Sequence, residues 1–304
     1  MRVLMAGSHG MIGSALVDHL TGRGDEVVRL VRGTPAQREI GWDPPAGWLD
    51  RKVLEDLGPF DGVVNLAGSG IGDRRWTAAW RRSLVESRLQ TTGLLAQLVA
   101  DLRPSPPVLV NASAVGYYGD RGDEVLTETS GPGGGFLADL CRRWEAATEP
   151  ARAAGARTVL TRSGVVLARG GGALRRQVPL FRLALGGRLG SGRQFVSWIT
   201  LRDEVLALAR ALDDERVAGP VNLVAPRPVR NAELTRALGR ALGRPAVLAV
   251  PEPALRLALG GEMASEVLLA SQRAEPEVLT SLGHVFAHPE ISAALRAVLD
   301  DDPG

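Results

Sequence analysis

Lysine is almost absent from these 304 residues: Lys52 stands alone, and the other cations are arginines. The formal net charge is only +2, and no long basic run or aromatic-and-basic cluster is present to track a phosphate backbone, so a nucleic-acid partner is not expected. One cysteine, Cys141, excludes an intrachain disulfide and fits a reducing compartment. Long apolar runs are missing too. Met1 to Ala6 is too short for a signal core or a membrane span, so a cytoplasmic protein with no membrane partner is expected. Four histidines, His9, His19, His284 and His288, are too dispersed for a metal set, and no metal is expected. His284 and His288 are spaced i, i+4, but Pro289 follows at once and they read as a surface pair.

An apolar fraction of 45% is ample for a packed core. Val3 to Ala6 reads as a buried strand, Met11 to Leu20 as a helix and Glu26 to Val31 as a second strand, which together make a βαβ unit. Further strands are expected at Asp61 to Leu66, Val108 to Ser113 and Arg157 to Thr161, the last followed by an apolar run at Val165 to Leu167. Helices are expected from about Arg74 to Leu102, ending at the breaker Arg103-Pro104-Ser105-Pro106-Pro107, and from Phe136 to Ala154. Beyond Gly170 to Gly172 helices predominate, with short strand candidates at Val221 to Val224 and Ala246 to Val250. The pattern predicts an α/β fold: a Rossmann doubly wound parallel sheet with a smaller, mainly helical C-terminal substrate lobe. The nucleotide-binding domain is expected over residues 1–165. Residues 166–304 are expected to complete the sheet and form the lobe. An acidic tail, Asp300 to Asp302, ends the ordered pattern.

Between the first strand and first helix stands Gly7-Ser8-His9-Gly10-Met11-Ile12-Gly13, with glycines three apart. One glycine permits the tight turn, the next lets backbone approach a pyrophosphate, and the last lets helix and strand pack closely. This spacing predicts a dinucleotide site built on Gly7, Ser8, His9, Gly10, Met11, Ile12 and Gly13. The second strand ends at Val31-Arg32 without a carboxylate, which favours NADP(H) over NAD(H), Arg32 otherwise being a solvated surface arginine. The turn Leu66-Ala67-Gly68 offers small residues where the dinucleotide would pass. On the following helix Arg88 interrupts an apolar stripe, either aimed at an anionic group or lying at a solvated rim. Arg175, Arg176, Arg182, Arg188 and Arg193 gather near a turn-rich segment, where they either neutralise a diphosphate or are solvated loop residues.

These features resemble the extended short-chain dehydrogenase/reductase superfamily. Ser113 to Asp120 (Ser-Ala-Val-Gly-Tyr-Tyr-Gly-Asp), Arg162 to Leu167 with Gly170-Gly171-Gly172, and Ser197-Trp198-Ile199 resemble one branch, the "epimerase family protein" group. The string from Gly261 to Arg273 resembles that group's C-terminal domain of unknown function, expected over about 250–300. The resemblance implies NADP(H), held at Val31, Arg32, Leu66, Ala67, Arg88 and Val166. It also marks a departure. Where the group has histidine after Trp-Ile, this chain has Thr200, which puts a proton-transfer role there in doubt.

The superfamily's acid–base pair is a tyrosine with a lysine four residues later, the cation helping to lower the phenol pKa. Here Arg121 and Gly122 follow Tyr117 and Tyr118, the only tyrosines, at that spacing. Counting on from Ser113 puts Phe136 and Leu140 in the pair's seats. Ser113 is either a substrate contact or a strand-end hydroxyl bonded locally, and Tyr117 or Tyr118 could donate to a substrate oxygen. Two functions stay open. One is an NADP(H)-dependent oxidoreductase or epimerase on a small carbonyl, hydroxyl or nucleotide-sugar substrate; the other is a non-catalytic NADP-binding regulator or scaffold. A homodimer is compatible with either.

Overall fold

The computed structural model of the protein describes residues 1–102 and 106–300, so residues 103–105 of the expected breaker and the tail after Asp300 lie outside the described residues. Eight strands form one sheet in the order Gly219–Leu223, Thr158–Ser163, Val108–Ala114, Gly62–Asn65, Arg2–Ala6, Glu26–Val31, Glu39–Asp43 and Trp48–Leu49. The central pairs are parallel, with Leu4 level with both Val28 and Val63, and Val64 level with Val110. The short edge strand Trp48–Leu49 runs antiparallel to its neighbour. Val3, Leu4, Met5 and Ala6 are all fully buried, as expected of a strand covered on both faces.

The strand Glu39–Asp43 was not anticipated from sequence. Gly41 within it and Pro44 after it mask its strand character, and its parallel pairing with Glu26–Val31 supplies what local propensity does not. The helix expected as one piece from Phe136 is instead Phe136–Ala146 followed by Glu149–Ala153. Pro150 has no N–H to continue the first helix, and Thr148, fully buried, turns its hydroxyl back onto the Glu145 carbonyl at 2.7 Å. The long helix Ala78–Asp101 starts at Thr77, whose side chain accepts from Trp80 N, and it buries Leu84, Arg88, Thr92, Leu95 and Val99 along one face.

The chain divides into two compact units, and it passes between them several times. The first comprises residues 1–113, 140–161 and 205–221; the second comprises 114–139, 162–204 and 222–304. In the first, Leu4, Val28, Ile40, Val63, Leu95, Val99, Leu109 and Ala151 share one core. In the second, Leu167, Leu174, Phe181, Trp198, Leu234, Leu238 and Leu295 form another. Helices Gly172–Arg182, Asn231–Ala241, Glu252–Leu259 and Ile291–Asp300 dominate that unit, alongside short two-stranded sheets.

Glu204 is fully buried in the second unit, where the Ser163 hydroxyl donates to Oε1 at 2.6 Å and Oε2 has no partner. Burial pushes its carboxyl up to about 8, against the opposing pull of the Ser163 hydrogen bond. The folded protein therefore keeps a proton that the unfolded chain releases, so stability falls as pH rises from about 4.5 to about 8. Unfolding free energies obtained from chemical denaturation across that window should decline at up to roughly 1.4 kcal/mol per pH unit. Glu204→Gln should remove this component of the slope, and an unchanged slope in the variant would show that the carboxyl is not held protonated.

Candidate dinucleotide site

The first strand runs into Gly7, whose φ of +79° suits a residue without a side chain. A Cβ here would come within 2.6 Å of the Leu66 carbonyl carbon and 2.7 Å of Ala67 N. A Cβ at Gly13 would fall 2.1 Å from the Gly7 oxygen. These two glycines therefore let three backbone segments touch. Gly10 differs: its Cβ would meet only the Gly7 oxygen, at 3.4 Å, so its other side is open. Gly10 N donates to Gly7 O at 3.1 Å to close the turn, and Gly10 is the cap residue of helix Met11–Gly22 without a side-chain cap. The N–H groups of the first helical turn thus have no intrahelical acceptor.

A cavity of about 470 Å³ opens over this turn. Gly7, His9 and Gly10 line it from the turn, Leu30 to Gly33 and Trp42 from the second and third strands, and Leu66, Ala67 and Gly68 from the strand beyond. Arg32 is exposed, and no carboxylate is among these lining residues. Ser8, Met11, Ile12 and Gly13 shape the turn without lining the cavity; Ser8 is buried, with His9 Nδ1 3.4 Å from its hydroxyl. The donor set, anion-directed helix end and cation fit a phosphorylated dinucleotide.

Asn65, which ends its strand just before the lining residue Leu66, was not singled out in sequence. Its Oδ1 accepts from Ala67 N at 3.2 Å, which fixes the Leu66-Ala67 bend. Its Nδ2 donates to Thr92 Oγ1 at 2.9 Å and to Asn111 Oδ1 at 2.8 Å. Thr92 accepts from Trp144 Nε1 at 2.9 Å and donates to Asn111 at 3.2 Å. One buried hydroxyl therefore ties two strands to two helices. Such partners lie tens of residues apart and leave no periodic signal.

Arg88 belongs to the same region and is buried, which removes the solvated-rim alternative. Its guanidinium donates to Ser69 O at 3.0 Å and Leu84 O at 3.1 Å, stacks 4.8 Å from the Trp144 ring centroid, and leaves Nε without a partner. Burial pushes its pKa below the usual arginine value, with Cys141 acting in the opposite sense. A Cβ on the lining residue Gly68 would sit 3.3 Å from Arg88 Cζ.

Ser113 is buried and donates to Glu145 Oε1 at 2.7 Å. Leu140 is 1% exposed, and the backbone N–H groups of Phe136 and Leu137 donate to the Glu266 carboxylate at 2.9 and 2.7 Å. Lys52 stands exposed on helix Arg51–Leu57. The second unit holds Val166, level with Ile199 in a short parallel pair, and both tyrosines. Tyr118 is fully buried, its hydroxyl bonded to Asn222 Oδ1 at 2.7 Å, Thr127 O at 3.0 Å and Arg162 at 3.1 Å; burial pushes this phenol above its usual pKa. Tyr117 is half-buried, with Arg162 stacked 3.5 Å over its ring. Thr200, buried, bonds Asp203 at 2.9 Å at the start of helix Leu201–Asp213 and lies 3.3 Å from His288 Nδ1.

Sheet order and glycine turn define a Rossmann-type α/β protein of the short-chain dehydrogenase kind. The chain belongs to the NAD-dependent epimerase/dehydratase family, whose model matches residues 3–223, and a domain of unknown function matches residues 250–298. It is 50% identical over 294 residues to epimerase family protein Mb2239 of Mycobacterium bovis, covering 96% of each chain. The solved structure of human epimerase family protein SDR39U1 with NADPH is 36% identical, with a TM-score of 0.89 over 99% of this chain and 100% of that one. Thermus thermophilus UDP-glucose 4-epimerase in complex with NAD, 20% identical with a TM-score of 0.73 over 99% and 98%, shares the fold.

Thr92→Val keeps the volume but strands the Trp144 N–H and one Asn65 donor. Chemical denaturation should show a loss of about 1–3 kcal/mol. A neutral substitution would remove the hub role assigned to this hydroxyl.

Proposed function

We propose that the protein binds NADP(H) in this cavity and uses it as an oxidoreductase or epimerase on a small carbonyl, hydroxyl or nucleotide-sugar substrate. The observation that carries the cofactor choice is Arg32 lining the same cavity as the glycine turn, with no carboxylate among the lining residues. A carboxylate would hold a free 2′-hydroxyl and repel a 2′-phosphate; an arginine does the reverse. The NADPH in the human relative supports the same choice.

When bound, the dinucleotide supplies or accepts a hydride at its nicotinamide. The first-turn N–H groups of helix Met11–Gly22 hold the pyrophosphate, and Arg32 pairs with the 2′-phosphate. Buried Arg88, with Nε unpartnered, offers a fixed positive charge behind Gly68. The proton requires a group other than a lysine-assisted tyrosine. Tyr118 and Ser113 are engaged inside their own units, so Tyr117, held by its stack on Arg162, is the phenol we assign to donate to substrate oxygen. The same engaged groups, with Leu140 buried in the lysine seat, favour a second reading: a non-catalytic regulator whose partner affinity follows NADP(H) occupancy. Either role is taken as cytoplasmic on the single cysteine, as a homodimer, and without nucleic-acid or membrane partners.

Arg32→Glu should weaken NADPH binding by roughly tenfold or more while changing NADH binding much less, as read by cofactor fluorescence titration. Equal losses for both cofactors would sink the 2′-phosphate assignment. Gly10→Val should fold normally, because only the Gly7 oxygen approaches its Cβ, yet lose both cofactors because the branched side chain stands over the turn. Retained binding in that variant would overturn the placement of the pyrophosphate. Screening carbonyl and nucleotide-sugar compounds for NADPH oxidation separates enzyme from regulator, tight binding without turnover favouring the latter.

A further inference from the structure

In the second unit, the run Arg244-Pro245-Ala246-Val247-Leu248-Ala249-Val250-Pro251-Glu252 matches its own reverse. Turned end for end about Leu248, alanine meets valine, Pro245 meets Pro251, and Arg244 meets Glu252. Its strand, Leu248–Val250, forms a two-stranded parallel sheet with Gly187–Leu189, Gly187 lying level with Leu248 and Leu189 with Val250. Gly190 N donates to Val250 O at 2.9 Å, and a Cβ on Gly187 would come within 2.5 Å of the Leu248 oxygen. Leu248 and Val250 therefore turn their backbone groups toward that neighbour. Backbone groups alternate sides along a strand, so Val247 and Ala249 turn theirs to the outer edge. Among the described residues no further strand pairs there. Val247 is 85% exposed, and Leu248 and Ala249 are exposed too. An apolar edge with no charge between Arg244 and Glu252 lacks the side chains that ordinarily guard such edges. The exposed apolar surface continues on helix Glu252–Leu259, where Ala254, Leu257 and Ala258 share one exposed face and Leu255 is buried.

We infer that a second copy of this chain adds to this edge, antiparallel and two-fold symmetric about Leu248, an inference that rests on the homodimer reading above and gives it a face. In this register Val247 stands opposite the partner's Ala249, and both present an outward N–H and C=O, so the pair exchanges two hydrogen bonds and the two-fold repeats them. The prolines select the register. Centring on Val247 would set Pro245 opposite the partner's Ala249, and centring on Ala249 would set Pro251 opposite the partner's Val247; each loses donors that the Leu248 centre keeps. The two Leu248 side chains meet at the axis as a non-hydrogen-bonded pair, the closer of the two kinds. At each end Arg244 reaches the partner's Glu252, which also accepts from Arg256 within its own helix at 2.8 Å. A stable dimer covers roughly 800 Å² on each partner, more than a short strand edge supplies, and the apolar face of helix Glu252–Leu259 extends it.

The test uses the whole chain, its mass followed by light scattering after size exclusion across a dilution series. The wild-type protein should dimerise. Arg244→Glu sets two carboxylates against each other at both ends and Glu252→Arg two guanidinium groups, so each variant should dimerise roughly tenfold more weakly. An equal mixture of the two variants should recover the dimer, because every end then pairs opposite charges. Ala249→Pro removes an outward N–H and spares the pairing with Gly187–Leu189; folded by circular dichroism, it should be shifted to monomer even where a charge variant fails to fold. A dimer that none of these substitutions weakens overturns this face alone. A monomer at every concentration overturns the homodimer as well and leaves the edge to a strand of a different protein.

Discussion

The carbonyl oxygen of Gly7 occupies the place where any side chain at Gly13 would have to begin, 2.1 Å from an ideal Cβ. Because Gly13 has none, the first helix packs directly on the end of the first strand, and Gly10, the residue before its first turn, lines the cavity. Gly7 in turn admits the Leu66-Ala67 bend from the next strand along the sheet. The cavity is a consequence of these backbone contacts. Its walls come from strand ends whose positions the parallel pairing already sets.

Around that backbone frame lies a layer of buried polar groups that hold the walls still. Asn65 fixes the bend with one side-chain atom and reaches Thr92 and Asn111 with the other. Polar groups removed from water are costly unless paired, so this network admits few alternative arrangements. Arg88 is the exception within it. A guanidinium that is buried, stacked on Trp144 and left with an unpaired Nε is a feature of a binding site more than of a core. Where the superfamily has a tyrosine and a lysine on one helix, this chain has apolar residues and a carboxylate clamp from Glu266 at the helix start. The glycine turn and its cavity thus sit in a chain whose only lysine, Lys52, is exposed on another helix.

Some of this was legible directly. The βαβ unit, the glycine spacing and the missing carboxylate at Arg32 are all local, within about 30 residues, and follow from periodicity and turn chemistry. The strand Glu39–Asp43 was not, because its glycine and following proline obscure a pairing that its neighbour strand enforces. Trp42 was missed with it. Ser113 was read as either a substrate contact or a bonded strand-end hydroxyl, and its hydrogen bond to Glu145, 32 residues away, is what the structure adds.

The amino-acid sequence by itself determined the fold class, the phosphate turn, the lean toward a 2′-phosphate and the absence of a tyrosine–lysine pair. Each depends on which residue types occur and at what short spacing, and backbone sterics and helix geometry translate that spacing directly. Only the tertiary structure decided which partner each polar side chain would find. Asn65 meets Asn111 across 46 residues and Tyr118 meets Asn222 across 104. Burial makes such pairings obligatory, and the packing of distant elements selects the partners, so no local pattern along the chain could have named them.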